Sequence, residues 1–187
     1  MNDRRLLLLN SRQFLIGLLT SSLCAGCSSL ESRLTIEPYT KNKPMRNALE
    51  DVAEAYCQEK RPPPAAQPDF IFTTDGCSRW PDGSWVACCI AHDIAYWCGG
   101  SDQDRTNADQ ELMRCVNAKT QGIGHILYAG VRLGGIPWLP TPWRWGYGWD
   151  NWPAGYDKPQ EFVPVKKLFD DLDVYKIIER HLQGSDH

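Results

Sequence analysis

The run DGCSRWPDGSWVACCIAHDIAYWCGG, Asp75 to Gly100, places His92 beside Asp93, just after the adjacent cysteines Cys88 and Cys89 and before Tyr96 and Cys98. On a helix, neighbouring residues point about 100° apart, so His92 and Asp93 must serve different partners. An imidazole aimed into a cleft is a general base near neutral pH. A carboxylate aimed the other way, toward the loop DGCSRWPDG, can hold a hard cation together with backbone carbonyls of that loop. Glycine and serine let such a loop turn its carbonyls inward.

A histidine base needs its second nitrogen fixed by a carboxylate or carbonyl. Downstream, Asp102, Asp104, Asp109 and Glu111 are the available carboxylates. If Cys88 pairs with Cys115 across two antiparallel helices, His92 lies four residues up one helix and Asp109 six residues down the other. At about 1.5 Å per residue those levels differ by only about 3 Å, which makes Asp109 the best orienting group.

The elements that must position these residues are helical. Ser84 is placed to cap a helix running to about Cys98, on which Cys88, His92 and Tyr96 share a face, and Gly99-Gly100 would stop it. Ser101 or Asp102 would cap a third helix to about Ala118, with Ala108, Leu112 and Cys115 on one side. The diglycine between the two makes an antiparallel pair the economical arrangement. Upstream, Leu49, Val52, Ala53 and Tyr56 recur at helical spacing over Arg46 to Gln58, and RPPPAAQP ends that helix. Residues 122 to 133 predict a shorter apolar helix, and Val165 to Leu182 a last amphipathic one carrying Leu168, Leu172, Tyr175 and Ile178. Between them GIPWLPTPWRWGYGWDNWPAGY, rich in Pro, Gly and aromatics, is expected to be irregular. No strand alternation or internal repeat stands out, so the fold class expected is mainly α, one domain over 45–187.

The N-terminus reads differently. Arg4, Arg5 and Arg12 precede the apolar run Phe14 to Leu23 and then CAGC, the pattern of a signal peptide over 1–26. About ten apolar residues cannot cross a bilayer as a helix, which takes about 20. LCAGC also resembles the lipobox of bacterial lipoproteins, in which the cysteine matching Cys27 is fatty-acylated, and Ser28 behind it is a residue permissive for outer-membrane sorting. Residues 27–44, with Pro38 and Pro44, then form a tether. The expected location is the bacterial cell envelope, lipid-anchored, on the outer membrane facing the periplasm.

With the leader's arginines removed, the chain is more negative than its overall −3, which gives nucleic acid no electrostatic footing. The remaining cysteines, Cys57, Cys77, Cys88, Cys89, Cys98 and Cys115, are even in number in an oxidising compartment. A disulfide framework follows, its connectivity open.

CCIAHD, with Tyr96 four residues past the histidine and "AD" six residues before Cys115, resembles the active-site helix pair of secreted phospholipases A2. The upstream DGCS is similar to bacterial and divergent members of that superfamily. The resemblance spans residues 73 to 117. It implies His92 as catalytic base, Asp109 as the second member of its dyad, Tyr96 as the supporting tyrosine and Asp93 as a Ca²⁺-binding carboxylate. It also implies disulfides Cys88 to Cys115 and Cys77 to Cys89, while Cys57 and Cys98 have no counterpart in the motif. The loop between Cys77 and Cys88 lacks the glycine-rich pattern of the animal enzymes, so the carbonyls of Gly76 and Ser78 stand as the nearest further Ca²⁺ ligands. The implied reaction is calcium-dependent hydrolysis of the sn-2 ester of a glycerophospholipid, with a membrane as the substrate partner. No G-x-S-x-G elbow occurs, consistent with water as the nucleophile.

Other readings use the same residues. Zinc on Cys88, Cys89, His92 or Cys98 conflicts with an oxidising compartment and with the poor chelation offered by adjacent cysteines. Asp102 and Asp104 start like an EF-hand, but Asn107 stands where the turn needs glycine. Trp138, Trp143, Trp145, Trp149 and Trp152, with Arg144 and Tyr147, would either sit at a bilayer interface or roof the helix pair as core. A lipoprotein that uses the scaffold only to bind lipid or protein, and a hydrolase delivered against another cell's membrane, are the alternative functions.

Overall fold

The computed structural model describes residues 42–63, 65–68, 70–147, 149, 155–158, 165–170, 174–177 and 180. The leader, Cys27, most of the tether and Trp152 lie outside the described residues. Among the described residues the fold is helical, with no strand and no helix long and apolar enough to cross a membrane. Helices α1 (Lys43–Lys60), α2 (Val86–Cys98), α3 (Asp102–Lys119), α4 (Ile123–Gly134) and α5 (Val165–Asp170) follow in chain order.

α1 begins three residues before its expected start, so Lys43 and Pro44 belong to the helix rather than to the tether. The Asn42 side chain accepts from the Met45 amide at 3.1 Å, and Pro44 sits in the first turn, where no helical N–H is missed. Its buried stripe of Met45, Leu49, Ala53, Tyr56 and Cys57 faces α2.

Every residue of α2 is buried, Asp93 only in part. A helix apolar on all sides belongs in the centre of a core, and α2 is packed by α1, α3 and α5. Ser84 does not cap it. The residue before its first turn is Trp85, with no side-chain cap bond. Backbone bonds Val86 N to Gly83 O (3.0 Å) and Cys88 N to Trp85 O (2.8 Å) serve the opening amides instead. Ser101 caps α3 through a reciprocal capping box with Asp104. The pairs Cys88 with Cys115, His92 with Asp109 and Tyr96 with Arg105 run in opposite senses along the two helices, so α2 and α3 are antiparallel.

Three disulfides close among the described residues. Cys88–Cys115 joins the pair, Cys77–Cys89 ties the upstream loop to α2, and Cys57–Cys98 ties the end of α1 to the end of α2.

Over its described residues the tryptophan-rich segment is irregular, and its rings differ in burial. Trp145 is fully buried, Trp149 is half-buried, and Trp138 is 53% exposed. The buried part caps α2. A helix leaves its last four carbonyls without helical donors. Here Tyr96 O accepts from Gly146 N (2.7 Å) and Trp97 O from Trp149 Nε1 (3.2 Å), and just past the helix end Gly99 O accepts from Lys60 Nζ (2.8 Å) and Gly100 O from Trp145 Nε1 (3.1 Å) and Asp157 N (2.9 Å). Lys60 is buried for this purpose, and burial, opposed by Asp104, brings its ammonium down to about 8. Every described residue of the expected final helix is helical: α5 over 165–170, then 174–177 and 180, with Leu172, Ile178 and the rest of that span outside the described residues.

Candidate active site

Asp109 is fully buried on α3, and both of its oxygens take hydrogen bonds from the two neighbouring helices α2 and α4. Oδ1 lies 2.8 Å from His92 Nε2 and accepts from Tyr96 Oη at 2.7 Å, both on α2. Oδ2 accepts from Arg132 Nη1 on α4 at 2.7 Å, with Arg105 Nε 4.0 Å away. Burial alone would raise this carboxyl. The hydrogen bond and charge of His92, then the bonds from Arg132 and Tyr96, outweigh it and hold Asp109 below the usual carboxylate range.

An ionised carboxylate only accepts, so Nε2 of His92 donates to it; in the neutral imidazole Nδ1 then holds the lone pair. The imidazole ring is 5% exposed, stacks on Tyr96 at 4.2 Å between centroids, and lines a cavity of about 610 Å³. Tyr96 is itself fixed on every side. Its hydroxyl donates to Asp109 and accepts from Arg105 Nε at 3.2 Å, its ring packs edge-on against Trp145, and its phenol is driven well above its ordinary range by burial and by Asp109. A side chain at Gly135 would strike the Tyr96 ring at 2.5 Å, so only glycine lets α4 end this close.

Asp93 lies on the neighbouring face of α2 and lines the same cavity. Its Oδ2 accepts from Thr74 Oγ1 at 2.5 Å, and among the described residues Oδ1 takes no hydrogen bond. Burial, with the charges of Asp75 and Asp82, pushes this carboxyl well above the usual range against the opposing Thr74 bond. Gly76 and Ser78 line the cavity alongside it. Gly76 takes φ +78°, and the Asp82 carboxylate sits where its side chain would be. Ser78 (φ 33°) and Arg79 (φ 59°) continue in the left-handed region, which costs non-glycine residues about 1–3 kcal/mol each. Among the described residues no three His, Cys, Asp or Glu side chains form a metal-binding group. A cation here would therefore draw on Asp93 and on backbone oxygen, a hard-oxygen donor set chemically suited to Ca²⁺.

The structure thus brings His92, Tyr96 and Asp109 into one hydrogen-bonded cluster and sets Asp93, Gly76 and Ser78 on the same cavity wall. Three residues of the site carry no sequence signal of comparable strength. Arg105 lies one helical turn before Asp109, a spacing that could have flagged it. Thr74 and Arg132 come from segments whose approach only the packing decides. Arg105 also donates to Val131 O (2.9 Å) and Arg132 O (2.8 Å), so it clips the end of α4 to the site and serves the carbonyls there.

No family model, curated protein or solved structure matches this chain.

Proposed function

We propose that the chain is a calcium-dependent, phospholipase A2-like ester hydrolase that cuts the sn-2 ester of glycerophospholipids, and that Cys27 anchors it by acylation to the outer membrane, facing the periplasm. The observation that carries the reading is the 2.8 Å contact of His92 Nε2 with the buried Asp109, on a largely apolar cavity that Asp93 also lines. With Asp109 ionised, Nε2 donates to it, and in the neutral imidazole Nδ1 is the base.

In this mechanism Nδ1 takes a proton from water as the water oxygen bonds to the ester carbonyl carbon. Asp109 stabilises the imidazolium that forms, and Tyr96 and Arg132 keep Asp109 in place and ionised. The proton on Nδ1 then passes to the glycerol oxygen as its bond to the acyl carbon breaks, releasing a fatty acid and a lysophospholipid. Asp93 and the carbonyls of Gly76 and Ser78 would hold Ca²⁺, which supplies Lewis-acid stabilisation of the carbonyl oxygen and a partner for the phosphate. Leu112, Leu127 and Val131 in the cavity wall suit an acyl chain. The exposed Ile126 and Leu133 on α4, with Trp138 and Leu139 just beyond, offer apolar surface to a lipid aggregate next to that cavity.

The test is fatty-acid release by the full chain from mixed detergent–phospholipid micelles, in calcium and then in excess chelator. Release from the second carbon, stopped by chelator and lowered about 10²- to 10⁴-fold by His92→Gln, is the expected result. Full activity in His92→Gln would remove the assignment of the base. The second reading, a lipoprotein that binds lipid or protein without turnover, draws on the lack of a side-chain metal cluster among the described residues. No release with or without calcium, from folded and oxidised protein, would select it.

A further inference from the structure

Among the residues that line the cavity, Arg79 is the one lysine or arginine. Its side chain is exposed, and its guanidinium carbon lies 5.2 Å from the centroid of Trp143, a second lining residue. An arginine stacked on an indole keeps its edge N–H donors free, because the ring meets only its face. No carboxylate among the described residues pairs with it. The nearby acids are engaged elsewhere: Asp75 accepts from Ser78 Oγ (2.6 Å), Asp82 from Cys77 N (2.9 Å) and Asp93 from Thr74 Oγ1 (2.5 Å).

The backbone fixes where this cation stands. Ser78 and Arg79 are consecutive non-glycine residues with positive φ, the turn is closed by Trp80 N to Cys77 O at 3.2 Å, and Cys77–Cys89 fastens it to α2. Strain of this kind persists where the surroundings over-determine it, and it clusters at ligand sites. The cavity therefore joins an apolar interior to a single unpaired guanidinium, the two ends of an amphiphile with an anionic head.

We propose that Arg79, seated on Trp143, binds the phosphate of a net-anionic phospholipid headgroup whose acyl chain occupies the cavity. This deepens the phospholipid reading and rests on it for the identity of the substrate. The stacking also argues for discrimination. The aromatic face that a quaternary ammonium would occupy is already covered by the guanidinium, so a choline head gains nothing from Trp143 and meets a like charge in Arg79.

The experiment titrates the full chain, in non-ionic detergent and calcium, with short-chain ether-linked phosphatidylglycerol, its phosphocholine counterpart and inorganic phosphate, following tryptophan fluorescence. The ether probes contain no carboxylic ester, so binding is read without turnover. The expected result is roughly tenfold tighter binding of the phosphatidylglycerol probe, in line with a hydrogen-bonded charge pair. Arg79→Gln should bring the two lipid probes to a common affinity, and Arg79→Lys should keep part of the preference. Trp143→Leu, which removes the seat and keeps the charge, should weaken the preference if Arg79→Gln does not fold. An undiminished preference in Arg79→Gln, or inorganic phosphate matching the lipid probe, would overturn the proposal. A chain that never hydrolyses an ester but shows the Arg79-dependent preference would refute only the catalytic reading.

Discussion

Asp93 and Asp109 belong to one site, yet their surroundings act on them in opposite directions. Asp109 is buried with three donors from two helices, and these overcome the cost of burial and keep it charged. Asp93 has one hydroxyl donor and two carboxylates for neighbours, and burial drives it toward its neutral form. Two carboxyls pushed apart in this way take different tasks. One is an internal anion held against His92. The other is short of positive charge, and a bound cation would supply it.

Removing Asp109 should have the largest effect. Asp109→Ala takes the buried anionic partner from His92, Tyr96 and Arg132, and a loss of about 3–5 kcal/mol in urea unfolding is expected, with turnover abolished. Asp109→Asn keeps the shape, so its difference from wild type isolates the charge. The folded pKa of Asp109 is depressed, so its stabilisation is present above the ordinary carboxylate range and is lost as pH falls through the depressed value. The gap between the two unfolding free energies should narrow over that acid window. A gap that is constant with pH would break the contrast at its Asp109 end.

Calcium tests the other end. Saturation at about 100 times its dissociation constant should stabilise the wild-type chain by about 2.7 kcal/mol. Asp93→Asn should lose that shift in melting temperature. Because the folded pKa of Asp93 is raised, its carboxylate works against the fold at neutral pH. The same substitution should therefore raise the cation-free melting temperature, the opposite sign to Asp109→Asn. Two substitutions of one kind with the same sign would refute the comparison.

Arg132→Gln probes the supply of charge to Asp109. It should cost about 1–3 kcal/mol and lower kcat more than KM, because the lost donor serves the base rather than the substrate. Smallest of all, Thr74→Val removes the one donor to Asp93 and should cost about 0.5–1.5 kcal/mol in the calcium-loaded protein, read by thermal unfolding.

Much of this arrangement is legible in the chain. The 3.6-residue spacing of Cys88, His92 and Tyr96 puts them on one face, and the diglycine forces the reversal that carries Asp109 opposite His92. Side-chain chemistry also separates the two carboxylates: Asp93, next to His92, has to turn away from the face that Asp109 meets. The ends of the helices were harder to read. Asn42 and Pro44 start α1 where the prolines suggested a tether, and Ser84 leaves the start of α2 to backbone bonds, because capping depends on local backbone angles as well as on residue type.

Contacts between distant segments could be decided only by the tertiary structure. Arg132 reaches Asp109 across 23 residues of sequence, Tyr147 Oη bonds Thr73 O across 74, and Lys60 Nζ bonds Gly99 O across 39. No periodicity encodes such meetings. They follow from how α4 and the tryptophan segment settle on a helix pair already fixed by Cys88–Cys115, and from the demand that each buried charge and each open helix carbonyl find a partner. The sequence by itself determined which residues could act as base, orienting acid and cation ligand. The packing decided how each is charged, because charge depends on burial and on donors brought from elsewhere in the chain.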